Sequence, residues 1–156
     1  MNTTVKRQER EVRMASLSPI MEEILAAGGS VELTVTGNSM RPMLLHKVSR
    51  VRLLPPRQLS RGDLPLYRRD NGQYVLHRVV DVENDCYTCC GDNQWHLEPG
   101  IRQDQIVAVV SDFCRKTRWR AVSTRGYTCY WRIWVWIRPL RRLFFGGLRR
   151  IRRWMR

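Results

Sequence analysis

The sequence predicts a mainly β fold, with a short N-terminal helix before the strands and a basic amphipathic C-terminal helix after them. The strand prediction comes from short segments that are rich in β-branched or aromatic residues. Residues 70–72 (Asp-Asn-Gly) and 83–85 (Glu-Asn-Asp) separate some of these segments and are typical of hairpin turns. The segments predicted as strands are residues 31–35, 51–54, 64–69, 74–82, 86–90 and 106–113.

The predicted N-terminal helix begins at Ser18 and ends at Gly28. Serine is a favourable N-cap, and Pro19 fits the first helical position because its missing N–H would have no partner there. Acidic residues in the first turn also suit a helix N-terminus. Gly28 is typical of a helix end, so residues 1–30 are predicted to be an N-terminal extension that includes this helix.

The chain changes in charge and composition near Phe113. Residues 1–112 carry 14 basic and 14 acidic side chains, whereas residues 113–156 carry 14 basic side chains and no acidic one. The formal net charge of +14 therefore lies in the last 44 residues, together with five of the six tryptophans. This division predicts a β core over residues 31–113 and a separate basic, aromatic tail over residues 114–156.

A candidate nucleophile, Ser39, lies in the segment VTGNSMRPML. A serine hydroxyl becomes an effective nucleophile when a neighbouring base takes its proton and a third group orients that base. Two later segments offer such partners, with His77 in YVLHRVV and Asp92 in CCGDN. Because a triad is recognised by geometry, these residue types alone also fit a turn serine, a buried strand histidine and a turn aspartate.

The three segments, in this order, resemble the catalytic core of the S24/S26 serine peptidases, the group that contains signal peptidase I and the LexA-type repressors. Residues 37–42 resemble the nucleophile box and residues 61–67 the strand that follows it. The resemblance implies a LexA/signal-peptidase-like β core. Bacterial members usually carry a lysine base, whereas His77 is similar to the base of the endoplasmic-reticulum and archaeal signal peptidases. In those proteins the aspartate of a Gly-Asp-Asn turn assists, which implies that Asp92 orients His77.

The chain also departs from the pattern of this family. None of its three lysines, Lys6, Lys47 and Lys116, lies on a strand after the segment 61–67, so a Ser-Lys dyad has no good candidate. The transmembrane anchor of ordinary signal peptidases is not found, because the polar start of the chain leads into no apolar run. His46 and His96 are alternative bases in weaker sequence contexts.

The oxyanion that forms during acyl transfer would also need hydrogen-bond donors. Some family members carry a serine two positions before the nucleophile for this purpose, where this chain has Gly37. Backbone N–H groups aimed at the developing charge can do the same work. We therefore expect the backbone around Ser39, at Gly37, Asn38 and Met40, to bind the substrate carbonyl.

The cysteines raise a possible metal site. Cys86, Cys89, Cys90 and His96 lie close together in sequence, but a second Cys-x-x-Cys pair is missing and the segment alternates as a strand does. We therefore expect neither a metal nor another cofactor. The odd number of five cysteines and the lack of a signal peptide favour a reduced core that faces the cytosol.

The tail predicts a peripheral membrane segment over residues 127–156. On a helical projection of residues 138–156, most arginines share one side while leucines, Phe144, Ile151 and Trp154 lie opposite. Such a helix suits an anionic membrane surface but is too short and too charged to span a bilayer. Nucleic acid and an acidic protein are the alternative partners. The excess of arginine favours the cytoplasmic side.

These observations together predict a small serine endopeptidase that cleaves a leader or signal-type peptide at a membrane surface. Ser39 would be the nucleophile, His77 the general base and then acid, and Asp92 the orienting group. The alternative is a catalytically inactive peptidase-fold binding module, which its basic tail would target to membrane or nucleic acid.

Overall fold

The structure, a computed structural model, describes residues 14–139 and confirms a mainly β fold with short helices. The elements in chain order are α1 (Met14–Ala26), β1 (Val31–Thr34), β2 (Arg50–Leu54), β3 (Pro65–Arg68), β4 (Tyr74–Leu76), β5 (Arg78–Glu83), β6 (Cys86–Cys90), β7 (Glu98–Ile101), a 3₁₀ turn (Gln103–Gln105), β8 (Ile106–Arg115), β9 (Arg118–Ala121) and α2 (Arg125–Trp136).

The strands form two antiparallel sheets. In the first sheet the order is β1-β2-β8-β3-β4, and β9 pairs with the second half of β8. In the second sheet the order is β5-β6-β7. The long strand β8 is central to the first sheet because β2 lies along one edge while β3 and β9 share the other.

Two clusters of apolar side chains fill the interior. The main cluster joins the first sheet to α1 and includes Met21, Leu25 and Leu53. The second cluster lies between β3 and the second sheet and includes Tyr67 and Val79. Strand β3 contributes to both clusters and is buried on both faces. Burying each large apolar side chain contributes roughly 1.5–3 kcal/mol, so the main cluster holds α1 on the first sheet and the second cluster holds the two sheets together.

Helix α1 ends as predicted but begins earlier. Gly28 has a φ of +78°, and the N–H groups of Gly28 and Gly29 donate to the carbonyl oxygens of Leu25 and Ile24, both at 2.9 Å. This pattern is a Schellman motif, which ends the helix. The helix starts at Met14, so Pro19 lies inside it and not at its first position. The preceding Met-Ala-Ser-Leu stretch contains good helix formers, which explains the extension.

The segment predicted as one strand over residues 74–82 is divided at His77. Strand β4 before it belongs to the first sheet, and β5 after it belongs to the second. Strands β7 and β9 were not predicted. Strand β7 contains Pro99 and Gly100, which usually disfavour strands, and β9 lies in the region assigned to the tail.

Part of the predicted tail belongs to the folded core. The boundary predicted at Phe113 falls inside β8, and β9 and α2 follow it. The hydroxyl of Thr124 caps α2 by accepting the N–H of Tyr127, whose side chain is buried. The predicted basic amphipathic helix over residues 138–156 lies almost wholly outside the described residues. Within residues 14–139, no helix is long and apolar enough to cross a membrane.

Candidate active site

The ring of His77 lies at the point where the chain leaves the first sheet for the second, and only 3 % of the residue is exposed. Its Nδ1 atom is 3.2 Å from the hydroxyl oxygen of Tyr67 and 3.2 Å from Oε1 of Glu98. Burial raises the pKa of Tyr67, so that hydroxyl keeps its proton and donates it to Oε2 of Glu98 at 2.9 Å. Both neighbours therefore accept from Nδ1, which assigns the ring proton to Nδ1 and leaves Nε2 as the basic atom.

The carboxylate of Glu98 is held by groups from β3 and the turn that follows it. Nε of Arg69 donates to it at 2.8 Å, and a second guanidinium nitrogen of Arg69 makes a further short contact. Burial alone would raise the pKa of Glu98, but the hydrogen bonds from Arg69 and Tyr67 outweigh it, and the pKa falls below its usual value. Glu98 is therefore a carboxylate at neutral pH and can stabilise a protonated His77.

The basicity of His77 is set mainly by its burial. Loss of contact with water lowers its pKa below the usual 6.5, although the nearby carboxylates of Glu98 and Asp92 act in the opposite direction. The ring is therefore neutral at pH 7. A neutral imidazole can accept a proton, as a general base must.

The basic atom of His77 faces the loop that carries Ser39. A Cβ atom placed on Gly91 would lie 3.1 Å from Nε2 of His77 and 2.7 Å from the carbonyl oxygen of Ser39, so both atoms pack against this glycine. The N–H of Asn93 donates to that carbonyl oxygen at 2.7 Å. The structure therefore brings together Ser39, His77 and the Gly-Asp-Asn turn, and the close approach requires glycine at residue 91 because a Cβ atom there would clash.

Ser39 itself is half-buried in a turn shortly after β1. Among the described residues, its hydroxyl makes no hydrogen bond to the ring of His77. The buried side chain of Met40 anchors the turn in the main apolar cluster. Catalytic hydrogen bonds are often long before substrate binds, and a rotation of the serine side chain changes the position of its hydroxyl.

The predicted oxyanion donors differ in their availability. The N–H of Gly37 donates to Nδ1 of His46 at 2.8 Å, so this amide is already engaged. The carbonyl of Asn38 accepts the N–H of Arg41 at 3.3 Å within the turn. Within the described part of the chain, the N–H groups of Asn38, Ser39 and Met40 make no hydrogen bond. These three amides, and not that of Gly37, are available to bind an oxyanion.

Asp92 does not occupy the position predicted for it. Its carboxylate forms a two-pronged ion pair with Arg78, through Nε and Nη2 at 2.8 Å each, and also accepts the hydroxyl of Tyr130 at 3.1 Å. The carboxylate beside Nδ1 of His77 is that of Glu98. The reason is the orientation of the ring, which directs Nδ1 toward β7 and Nε2 toward the Gly-Asp-Asn turn.

Sequence reasoning missed Glu98, Tyr67 and Arg69. Glu98 starts a strand that had not been recognised, so nothing along the chain indicated that it would reach His77. Tyr67 and Arg69 lie within a predicted strand segment, but a strand pattern does not identify the histidine that each would face across the sheets.

Arg78, the residue after the candidate base, is fully buried. Its guanidinium donates to Asp92 and to the hydroxyl of Tyr127 at 2.7 Å, and lies 5.3 Å from the centre of the Tyr127 ring. Burial would lower the pKa of Arg78, but the hydrogen bond and charge of Asp92 raise it overall. Arg78 is therefore a permanent cation enclosed by the protein.

The alternative bases, His46 and His96, and the cysteines lie in other hydrogen-bonding environments. The ring of His46 lies at the surface and binds the amide of Gly37, and the carbonyl of His96 accepts the thiol of Cys90 at 3.2 Å. Burial raises the pKa of Cys89 to about 12, so this thiol stays protonated. Between residues 14 and 139, no group of three or more metal-binding side chains is placed to hold an ion.

Compared with known proteins, the chain matches no family model, and no curated protein matches it significantly.

Proposed function

We propose that this protein is a serine endopeptidase of the signal peptidase type, which cleaves a leader or signal-type peptide at a membrane surface. The observation that carries the proposal is the setting of His77. Its ring is neutral, its proton is held on Nδ1, and its Nε2 packs against Gly91, which also contacts the carbonyl oxygen of Ser39. A histidine held in this way beside a serine is the arrangement that activates a hydroxyl for acyl transfer.

In the proposed reaction, Oγ of Ser39 attacks the scissile carbonyl carbon while Nε2 of His77 takes the hydroxyl proton. The amides of Ser39 and Met40 would stabilise the oxyanion, and Glu98 would stabilise the imidazolium. The C–N bond then breaks as Nε2 gives its proton to the leaving amine. A water molecule, deprotonated by His77, hydrolyses the acyl-enzyme and restores the serine hydroxyl.

The ends of the first sheet suit a peptide substrate. Strands β1 and β4 are its terminal strands, and in the described part of the chain each has a strand neighbour on one side. Strand β1 leads toward Ser39 and β4 leads directly into His77. A substrate that added to either edge as an extra strand would be carried by its backbone hydrogen bonds to the reacting groups.

The outward side of α2 supports the membrane assignment. Its exposed residues include Arg125, Arg132, Ile133 and Trp136, and the last two are 53 % and 75 % exposed. Residues 113–139 contain no acidic side chain to oppose an anionic surface. A helix face that combines arginine with tryptophan and isoleucine can lie at the boundary between lipid headgroups and acyl chains.

The chemistry is tested with a fluorophosphonate probe, which forms a covalent bond with activated serines. We expect labelling of the wild-type protein, none of Ser39→Ala or His77→Ala, and full labelling of the matched control Ser123→Ala, which changes an exposed serine. Equal labelling of Ser39→Ala would exclude Ser39 as the nucleophile. A folded wild-type protein that takes no label would instead favour the inactive binding module.

The membrane assignment is tested with vesicles that contain phosphatidylglycerol. We expect the full chain to bind them less tightly as salt increases, because salt screens exposed charges. Ile133→Ser with Trp136→Ser should weaken vesicle binding without weakening RNA binding, since the apolar side chains contribute only to insertion. Cys129→Ser, on the same face, is the control. Unchanged vesicle binding by the double variant would contradict a role for this face.

A further inference from the structure

Helix α2 contacts the candidate active site through two aromatic side chains on its inner side. The indole Nε1 of Trp134 donates to the carbonyl oxygen of Asp92 at 2.8 Å, and the hydroxyl of Tyr130 donates to its carboxylate at 3.1 Å. The two rings are stacked, with centres 5.7 Å apart and planes 15° from parallel. The backbone carbonyl and the carboxylate of Asp92 are therefore both bound by one stacked aromatic pair.

The neighbours of Asp92 touch the reacting groups. Gly91 lies against Nε2 of His77, and Asn93 donates its N–H to the carbonyl oxygen of Ser39 at 2.7 Å. If Asp92 moved, the contact of Gly91 with His77 and the hydrogen bond of Asn93 to Ser39 would shift with it, because rigid peptide planes connect these three consecutive residues. A shift of about 1 Å at a reacting group can lower a rate by roughly 10²-fold.

The same helix also reaches the residue that follows the base. The hydroxyl of Tyr127 accepts from Arg78, which is joined directly to His77. The ring of Trp131 lies against Gly62, where a Cβ atom would come within 2.5 Å of it. Helix α2 therefore contacts the core at Arg78 and Gly62 as well as at Asp92.

We propose that Trp134 and Tyr130 are positioning residues for the reaction at Ser39, acting through Asp92. This inference rests on the proposed function and deepens it, because it makes α2 a required part of the active site in addition to a membrane-facing surface. The hydrogen bonds of both side chains run to Asp92, which is not one of the reacting groups. Their contribution is to keep Gly91 against the base and the Asn93 amide on the nucleophile loop.

The loss of either hydrogen bond has a distinct signature in the titration of His77. If the turn moves away from Nε2, water reaches the ring, and the pKa of His77 rises toward its usual value because burial is what lowers it. The charged and titratable groups that surround His77 are Tyr67, Arg69, Arg78, Asp92 and Glu98. None of these is changed by a substitution at Trp134 or Tyr130, so a shifted titration reports on position.

The test compares Trp134→Phe with Trp136→Phe in the full chain. The first removes the indole donor to Asp92, while the second makes the same change on the outer face, at a residue that is 75 % exposed. Two quantities are measured on folded protein: the titration midpoint of His77 by NMR, and the rate of fluorophosphonate labelling as a function of pH. Trp134→Phe should lower the labelling rate roughly 10- to 100-fold. It should also raise the His77 midpoint, whereas Trp136→Phe should change neither.

The results test the positioning role of α2 separately from the peptidase function. Equal midpoints and equal labelling rates for the two tryptophan variants would overturn the positioning role. If Trp134→Phe does not fold, Tyr130→Phe, which removes only one hydroxyl, gives the same comparison. A raised midpoint in Trp134→Phe, with no labelling of wild-type protein, would keep α2 as the group that positions His77 and would remove the peptidase function alone.

Discussion

His77 and Arg78 are consecutive residues, and both are buried against a carboxylate, but their surroundings differ. The partner of His77 is Glu98, which is itself bound to Arg69, a side chain that keeps a third of its surface exposed. The partner of Arg78 is Asp92, and this pair is sealed beneath α2, with 0 % and 2 % of the side chains exposed.

This difference separates two tasks that lie side by side in the sequence. A buried ion pair that is fully hydrogen-bonded keeps its charges, and breaking one half of it is costly. A buried histidine can change its charge as the pH falls, and burial places this change below the usual pKa of 6.5. The permanently charged Arg78 therefore follows the titratable His77 directly in the chain. Because the chain changes sheet between β4 and β5, the two side chains contact different carboxylates.

The largest effect that this comparison predicts is on stability. Arg78→Met leaves the carboxylate of Asp92 buried without its cation, so it should lower the free energy of unfolding by about 3–5 kcal/mol. Urea denaturation measures the change. Arg61→Met, at a mostly exposed arginine, is the matched control and should cost less than about 0.5 kcal/mol. Adding Asp92→Asn to Arg78→Met should recover part of the loss, and similar losses for the two arginine variants would refute the assignment.

The next effect distinguishes Glu98 from Asp92 by the rate at which Ser39 is labelled. Glu98→Gln removes the charge beside Nδ1 of His77 and should slow labelling of Ser39 by roughly 10²- to 10⁴-fold, because the imidazolium loses its stabilising partner. Asp92→Asn should destabilise the protein more than Glu98→Gln does, since its partner is fully buried. Labelling rates and urea denaturation distinguish the variants. A catalytic loss in Asp92→Asn together with normal labelling in Glu98→Gln would return the orienting role to Asp92.

A smaller effect concerns pH. Burial lowers the pKa of His77 below 6.5, so between its folded pKa and 6.5 the unfolded chain binds more protons than the folded one. The stability contribution of the neutral ring is therefore complete above about pH 6.5 and is lost as the pH falls below it. The labelling rate should decrease at lower pH, around the folded pKa of His77, as the base in the folded protein becomes protonated.

Urea denaturation at a series of pH values measures this contribution. His77→Gln should remove it, whereas His46→Gln, at an exposed histidine, should leave it in place. The pKa of Glu98 lies below 4.5, so its titration begins at a more acidic pH than the loss that starts near pH 6.5 for His77. An unchanged pH dependence in His77→Gln would show that another group is responsible.

The smallest effect is expected at the surface, where the same kind of ion pair is exposed. Glu32 accepts from Arg52 at 3.0 Å, but 43 % and 37 % of the two side chains are exposed. Glu32→Gln should change the free energy of unfolding by about 0–1 kcal/mol, because water and salt screen this pair. If this substitution cost as much as Arg78→Met, burial would not explain the difference between the two pairs.

The sequence predicted most strands of the β core, the end of α1 and the hairpin turns, because these features depend on residues that are close together in the chain. β-Branched segments formed strands, and Gly28, Gly72 and Asn84 have the positive φ angles that helix ends and hairpin turns need. No local sequence signal indicated the change of sheet at His77. The run Val-Leu-His-Arg-Val-Val reads as one continuous strand, and which sheet each half joins depends on packing far away in sequence.

The candidate site was predictable to the extent that it resembles a known pattern. That pattern singled out Ser39, His77 and the Gly-Asp-Asn turn, which the structure brings together. It could not reveal Glu98, because a contact between β3, β7 and the base is purely tertiary. The docking of α2 was missed for a different reason, since a basic stretch with several tryptophans is equally suited to a membrane surface and to a core with an enclosed arginine.

The change of sheet at His77 also determines how the site can fail. Nδ1 of this residue is held by Tyr67 from the first sheet and by Glu98 from the second, so any separation of the sheets removes at least one of these two contacts. The full setting of the base therefore requires both sheets to be in place. Heating or denaturant should therefore abolish the proposed reaction at Ser39 in a single cooperative step that coincides with global unfolding.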